Sequence, residues 1–141
     1  MHEMSEDERR AFLLESTRTG KLATVRRDGR PHVVPIWFVL DGDDIVLTTG
    51  ADTVKGRNLR RDGRVSLCVD DESPPFSFVM VEGEATVSED RGELLRWATR
   101  LGGRYMGEDR AGEFGRRNAV EGELLVRVRA TNIVARANIS D

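Results

Sequence analysis

The sequence is poor in cysteine and histidine and has no long apolar run, and each of these scarcities excludes a class of protein. The one cysteine, Cys68, can form no disulfide within the chain, and the apolar strand around it predicts a small, buried side chain. The two histidines, His2 and His32, are not accompanied by Cys, Asp or Glu at ligand spacing, so no metal site is expected. No segment reaches the roughly 20 apolar residues of a membrane span, and the N-terminus is polar, so a cytoplasmic protein without membrane contact is expected.

An excess of charge of one sign is also missing. The 22 basic and 25 acidic residues give a net charge of −3, and the two signs are interspersed along the chain. Because no basic region stands apart from the rest, nucleic-acid binding is not expected. A chain of 141 residues is expected to form one domain over residues 1–141, with a core large enough to need no disulfide or metal.

Short β-branched runs alternate with turn residues, which predicts a mainly β fold with small helices at the crossings. The turns Asp28-Gly29 and Asp41-Gly42 separate the first three of these runs, as is typical of an antiparallel meander. Strands of this kind are expected to form a closed or split antiparallel barrel. The predicted strands cover residues 22–25, 32–40, 45–49, 64–70, 76–87 and 123–134.

Two helices are predicted from their capping residues. Ser5 and Glu8 form a capping box that begins a helix over residues 5–16. Ser88 is expected to cap a longer helix that has an acidic first turn and ends at Gly102-Gly103. The apolar stripe of this second helix is predicted to consist of Leu94, Leu95, Ala98 and Leu101.

Lys55 is one of only two lysines, and it lies where a strand passes into a short helix. A cation in the first turn of a helix opposes the macrodipole at a cost of roughly 0.3–1 kcal/mol, so an anion is expected to join Lys55 and Arg57 there. The free N–H groups of the same turn also favour an anion. These features predict a phosphate site.

Two clusters of arginine occur in this half of the chain. The first follows a hairpin turn and is expected to be a solvated face rather than a surface for nucleic acid. The second continues from Lys55 and is expected to hold an extended anionic ligand. The first consists of Arg26, Arg27 and Arg30, and the second of Arg57, Arg60, Arg61 and Arg64.

Pro35 and two phenylalanines are further candidate contacts. Pro35 can donate no ladder hydrogen bond, so its strand is expected at an edge or a bulge, where a ligand can approach. Phe76 and Phe78 share one face of a strand after a Pro-Pro loop, and both a core position and a position at the rim of a site are open for them. The sequence shows no strong acid, base or nucleophile, so an enzyme built on it needs a cofactor.

The run Lys55-Gly56-Arg57-Asn58-Leu59-Arg60-Arg61-Asp62 is the most specific part of a wider resemblance. Residues 20–70 and 76–83 resemble the split β-barrel flavin and deazaflavin oxidoreductases. Within that group the chain is similar to the pyridoxamine phosphate oxidase-like branch that uses the deazaflavin coenzyme F-420. The resemblance covers most of the chain and implies a six-stranded antiparallel split β-barrel of the FMN-binding split-barrel type.

The resemblance also implies roles for particular residues. Pro35, Ile36 and Trp37 would face the tricyclic ring of the cofactor. The site in such proteins lies at a homodimer interface, so Phe76 and Phe78 would cover the ring from the partner subunit. The cofactor phosphate would be held by Thr48, Thr49, Thr53 and Lys55, with Arg57 and Asn58 nearby.

The second strand departs from true pyridoxamine phosphate oxidases. Where those enzymes carry an Arg and a Lys that bind the FMN phosphate, this chain has Val33 and Phe38, and their C-terminal Arg-x-His is missing. We therefore expect coenzyme F-420, with FMN as the alternative. The expected function is hydride transfer from reduced F-420 to a small conjugated organic acceptor. The alternatives are an FMN-dependent oxidoreductase and a non-catalytic flavin or deazaflavin carrier, and no residue is identified as catalytic.

Overall fold

The computed structural model describes residues 1–141 and contains eight β-strands, four α-helices and one short 3-10 helix. None of the helices has the length and apolar character that crossing a membrane requires. The strands are β1 (His2–Glu3), β2 (Gly20–Val25), β3 (Pro31–Ile36), β4 (Val39–Asp41), β5 (Asp44–Gly50), β6 (Arg64–Asp71), β7 (Ser77–Ser88) and β8 (Glu123–Ala137). The helices are α1 (Glu6–Leu14), α2 (Val54–Arg61), α3 (Arg91–Met106), the 3-10 helix (Glu108–Arg110) and α4 (Ala111–Asn118).

The strands form one antiparallel sheet in the order β3-β2-β6-β7-β8-β5-β4, and β1 pairs with β8. The two edge strands of this order, β3 and β4, follow each other in the chain and are joined only by Trp37 and Phe38. Such a connection spans about 10 Å, so the sheet must curl until its two edges lie close together. No hydrogen-bonded ladder joins them, and the result is a split barrel, as predicted.

The predicted strand over residues 32–40 is two strands, which corrects the expected number of six. The chain leaves the β2 ladder after Ile36 and begins to pair with β5 at Val39, so the strand is divided at the split. The two-residue β1 is the other strand that the sequence did not reveal. Pro35 lies in β3, which pairs only with β2, so its predicted position in an edge strand is confirmed.

The barrel interior holds the larger of two apolar clusters. Strand residues of β2 to β8 contribute most of it, and Phe12 and Leu13 of α1 pack into the same cluster. The capping box of Ser5 and Glu8 is present at the start of α1, as predicted. Cys68 is not in this core: Leu67 and Val69 point inward, so the alternation of the strand turns Cys68 outward, where it is half-buried.

Helix α3 packs on the outside of the barrel, and its limits differ from those predicted. Its N-cap is Asp90 rather than Ser88, and it continues through Gly102 and Gly103 to Met106. A Cβ atom at Gly102 would lie 2.6 Å from the Cβ of Phe114, so this glycine permits close contact with α4 instead of ending the helix. Leu95 is exposed, and the buried side chains that pack against β4, β5 and β8 are Leu94, Trp97 and Leu101.

The C-terminal end of α3 fixes the connection that splits the sheet. The guanidinium of Arg104 donates to the carbonyl oxygens of Leu13, Ser16 and Phe38 at 2.7–3.0 Å. The hydroxyl of Tyr105 accepts from the Phe38 N–H at 3.1 Å. The backbone of Phe38 has no ladder partner, so α3 satisfies polar groups that a closed barrel would have paired.

Substitution Arg104→Met is expected to lower the free energy of unfolding by about 2–3 kcal/mol, because three carbonyl oxygens lose a charged donor while the methylene packing is largely kept. Urea denaturation followed by far-UV circular dichroism measures the change. Arg100→Met is the matched control: Arg100 lies over Trp97 at 4.7 Å and makes no hydrogen bond, so a loss below about 1 kcal/mol is expected. Equal losses for the two variants would contradict the role given to Arg104.

Candidate functional site

A cavity of about 320 Å³ lies beside the split, under α3 and α4 and next to the first turn of α2. We call it the edge cavity. Its volume is in the range of small-molecule and cofactor sites, roughly 300–1,000 Å³. Seven of the predicted site residues line it, namely Pro35, Ile36, Trp37, Thr48, Thr49, Thr53 and Lys55. The other lining residues are Gly50, Leu101, Phe114, Asn118 and Glu123.

The α2 end of the edge cavity presents backbone donors. Thr53 is the N-cap of α2, and its hydroxyl accepts from the Gly56 N–H at 3.0 Å and donates to the Gly50 carbonyl at 2.8 Å. The Thr49 hydroxyl lies 3.2 Å from that of Thr53. The N–H groups of the first two helical residues, Val54 and Lys55, have no partner within the helix. They are therefore free to bind an anion in the cavity.

Lys55 is half-buried and makes no hydrogen bond or ion pair with any residue of the chain. Burial lowers the pKa of its ammonium group, and the negative charge of Glu123 opposes this shift. Burial likewise raises the pKa of the Glu123 carboxyl, and Lys55 opposes that shift. A half-buried ammonium without a partner is costly, which makes Lys55 a strong candidate to bind an anionic ligand.

Aromatic side chains form the wall opposite α2. The Trp37 ring stacks on that of Tyr105 with centroids 4.8 Å apart and planes 6° from parallel, and it lies 5.4 Å from the Phe114 ring. Trp37 is 37% exposed, so part of its ring still faces solvent and the cavity. The sequence prediction missed Phe114 and Asn118, because no local pattern shows that α4 packs on α3 and lines the cavity beside β5.

Two predicted residues, Arg57 and Asn58, line a different cavity. Asn58 is 4% exposed; its amide donates to the Thr24 hydroxyl at 3.0 Å and accepts from the Arg61 guanidinium at 3.1 Å. Asn58 therefore does not line the edge cavity, and its side chain holds α2 on β2. That it lies near the cofactor phosphate stays a prediction.

The cavity that contains Arg57 is an open cleft of about 750 Å³, and we call it the arginine cleft. The two sequence clusters of arginine meet there, because the β2–β3 turn lies beside α2. The side chains of Arg26, Arg27 and Arg57 make no hydrogen bond or ion pair, so their charges are available to a ligand. Arg26, Arg27 and Arg30 are all exposed, as expected for a solvated face, and Arg26 and Arg27 also line this cleft together with α2. The lining residues are Arg26, Arg27, Asp28, Val54, Arg57, Asn58, Arg60 and Arg61.

Phe76 and Phe78 line neither cavity within one chain. Phe76 is 40% exposed with φ of 60°, in the loop before β7, and Phe78 is half-buried on the outward face of β7. That they reach the site of a second subunit stays a prediction.

Val33 and Phe38 occupy the two positions at which this chain departs from true pyridoxamine phosphate oxidases. Val33 is 62% exposed on β3, and Phe38 is fully buried in the core.

Comparison with known families matches residues 5–134 to the family described as pyridoxamine 5'-phosphate oxidase. A conserved hypothetical protein from Mycobacterium tuberculosis is 31% identical over 97% of this chain and 87% of its own, with a TM-score of 0.84. A solved structure named F-420 reductase is 28% identical over 87% of this chain and 94% of its own, with a TM-score of 0.67. A haem storage protein from Vibrio cholerae shares the fold, at 22% identity over 96% of this chain and 98% of its own, with a TM-score of 0.76.

Gly56→Ala is expected to destabilise the protein by about 1–3 kcal/mol, although alanine favours helices, because its Cβ would overlap the Gly50 carbonyl oxygen and move the first turn of α2. The midpoint of urea unfolding measures this. The control is Gly112→Ala in α4, where the nearest atom is the flexible end of Arg116, so a gain of up to about 1 kcal/mol is expected. If both Gly56→Ala and Gly112→Ala stabilise the protein, the position of α2 does not depend on the close approach of Gly56 to Gly50.

Proposed function

The chain belongs to the pyridoxamine 5'-phosphate oxidase family, whose members bind flavin-type cofactors and include oxidoreductases, and on that premise we propose that it is an F-420-dependent oxidoreductase. The reduced deazaflavin would bind in the edge cavity and, when bound, supply a hydride to a small conjugated organic acceptor. The observation that carries this proposal is the unpaired, half-buried Lys55 at the first turn of α2.

The phosphate of the cofactor fits the α2 end of the edge cavity. Lys55 supplies a positive charge, and the free N–H groups of Val54 and Lys55 supply donors aligned with the helix axis. Thr48 and Thr49 add hydroxyl groups on the strand before the helix. Together these groups would fix the anionic part of the cofactor and thereby orient the ring.

The ring fits the end of the cavity at Pro35, Ile36 and Trp37. β3 has no strand on its second side, so its backbone can bond to a ligand instead of a neighbour. Trp37, held by Tyr105, offers a flat apolar surface against which a tricyclic ring can pack. The contribution of these residues is orientation of the ring and exclusion of water.

The arginine cleft supports F-420 rather than FMN. Arg26, Arg27 and Arg57 are unpaired cations that lie along the other side of α2, where an anionic tail that passes beyond the phosphate could extend. Conversely, Phe38 is buried in the core and Val33 is apolar, so neither can bind a phosphate from the positions that serve FMN in true pyridoxamine phosphate oxidases. The F-420 reductase among the similar structures is consistent with this choice.

In side-by-side fluorescence titrations the wild-type protein is expected to bind F-420 more tightly than FMN. Lys55→Ala is expected to weaken F-420 binding by roughly 1.5–3 kcal/mol, because a charge-assisted hydrogen bond is lost. The control is Arg129→Met, which removes an exposed cation on β8 that lines neither the edge cavity nor the arginine cleft and should leave affinity unchanged. Tighter binding of FMN, or no effect of Lys55→Ala, would contradict the proposal. Loss of reduced F-420 absorbance with an acceptor separates an enzyme from a carrier.

We also propose that the protein is a homodimer with the cofactor site at the subunit interface. One row of side chains crosses the outward face of the sheet and is apolar apart from one lysine, which gives a surface suited to a second copy. Its members, paired in register across β3, β2, β6, β7 and β8, are Pro35, Lys21, Cys68, Met80 and Val134. Val33, exposed and two residues before Pro35 on β3, extends this outer row.

Val33→Glu is expected to convert the dimer to a monomer, because it places a charge on the apolar outer row, and sedimentation velocity measures the change. Val120→Glu is the control, since Val120 is also an exposed valine but lies in the loop before β8. If the interface completes the site, the monomeric variant also loses affinity for F-420. A variant that stays dimeric would place the interface elsewhere.

A further inference from the structure

Glu123 is a charged residue that lines the edge cavity and has no role in the proposed function. It pairs in register with Gly50, so its side chain begins next to the turn that leads into α2. Among the residues that line the cavity, Lys55 and Glu123 are the only ionisable ones. The cavity lining therefore carries one cation and one carboxylate and is close to neutral in net charge.

The two charges are close enough to influence each other but are not bonded. No hydrogen bond or ion pair joins Lys55 to Glu123, and both side chains are half-buried. Each group opposes the effect of burial on the other: Glu123 raises the pKa of Lys55, and Lys55 lowers that of Glu123. Glu123 thus stabilises the ammonium form of Lys55 when no ligand is bound.

The other side of Glu123 faces a second cavity of about 380 Å³. The charged groups there are Glu89 and Arg91, at the junction of β7 and α3, and Glu121, in the loop before β8. Two carboxylates and one guanidinium give no net positive charge that could hold Glu123 ionised once an anion arrives. Lys55 is the one cation on the cavity side, and a bound anion would compete with Glu123 for it.

We propose that Glu123 is a positioning residue that takes up a proton when an anion binds beside Lys55, so that anion binding at the edge cavity is linked to proton uptake. The proton comes from solvent and is held on a carboxylate oxygen, and no bond of the ligand is broken. Protonation removes the repulsion between Glu123 and the anion and leaves Lys55 to the ligand. The proposal deepens the proposed function, since it rests on the edge cavity being the anion site.

The proposal predicts two changes of opposite sign in Glu123→Gln. In the wild type, affinity for an anion falls about tenfold per pH unit between the pKa of Glu123 in the free protein and its higher pKa in the complex, because one proton is bound on association. Glu123→Gln removes this fall and binds the anion more tightly at neutral pH. In the same variant Lys55 loses the carboxylate that raised its pKa, so the loss of affinity at alkaline pH begins at a lower pH than in the wild type.

The experiment titrates the wild type and Glu123→Gln with sulfate, which keeps its charge from about pH 5 to about pH 10. Binding is followed by tryptophan fluorescence in Trp97→Phe backgrounds of both proteins, so that the signal comes from Trp37 in the cavity wall. Titration with F-420 runs in parallel at each pH. Glu121→Gln is the matched control, because it removes the neighbouring carboxylate that lines only the second cavity. Lys55→Ala confirms that the sulfate signal comes from this site.

Below the pH at which Lys55 loses its proton, a wild-type affinity that falls with pH and a Glu123→Gln affinity that stays constant, with an unchanged profile for Glu121→Gln, would support the proposal. If sulfate or F-420 binds with the same pH profile in wild type and Glu123→Gln, the inference is overturned while the proposed function stands. If neither ligand binds at any pH, the anion site itself is wrong and both fall. Thermal unfolding of each variant at the same pH values shows whether it is folded.

Discussion

The structure depends on one constraint, the two-residue connection that carries the chain from one edge of the sheet to the other. Trp37 and Phe38 link β3 to β4, so the edge strands of a seven-strand path are forced together without a ladder between them. Phe38 anchors this connection in the core, and α3 takes over its backbone hydrogen bonds through Arg104 and Tyr105. The open edge that results is the reason that the barrel has a cavity at its side.

The positions of Lys55 and Glu123 near α2 also follow from the split between β3 and β4. The helix begins where β5 ends beside the split, with Gly56 packed against Gly50, so its first turn lies next to the edge cavity. Lys55 lies in that first turn without a partner, while Glu123 approaches it from β8. A site of this kind is costly for an isolated chain and becomes favourable when an anion binds, which is typical of functional rather than structural charges.

Local signals in the sequence predicted most of the elements correctly. The capping box at Ser5, the turns at Gly29 and Gly42, and the proline of the edge strand each act within a few residues, and the structure contains all of them. The failures involve contacts between distant segments. Glycine often ends a helix, but the lack of a side chain at Gly102 instead allows α4 to pack closely on α3. Cysteine is usually buried, but the register of β6 turns the Cys68 side chain outward.

The sequence by itself determined the antiparallel meander and the β-rich class, and it predicted an anion site around Lys55, because turn chemistry, strand period and helix polarity are properties of neighbouring residues. Only the tertiary structure decided which side chains share that site. It assigned Asn58 to packing, brought Arg26 and Arg27 beside Arg57, and placed Phe114 and Glu123 at the cavity. The physical reason is that these contacts join segments far apart in the chain, whose meeting is set by the curl of the sheet and by the packing of α3 and α4 upon it.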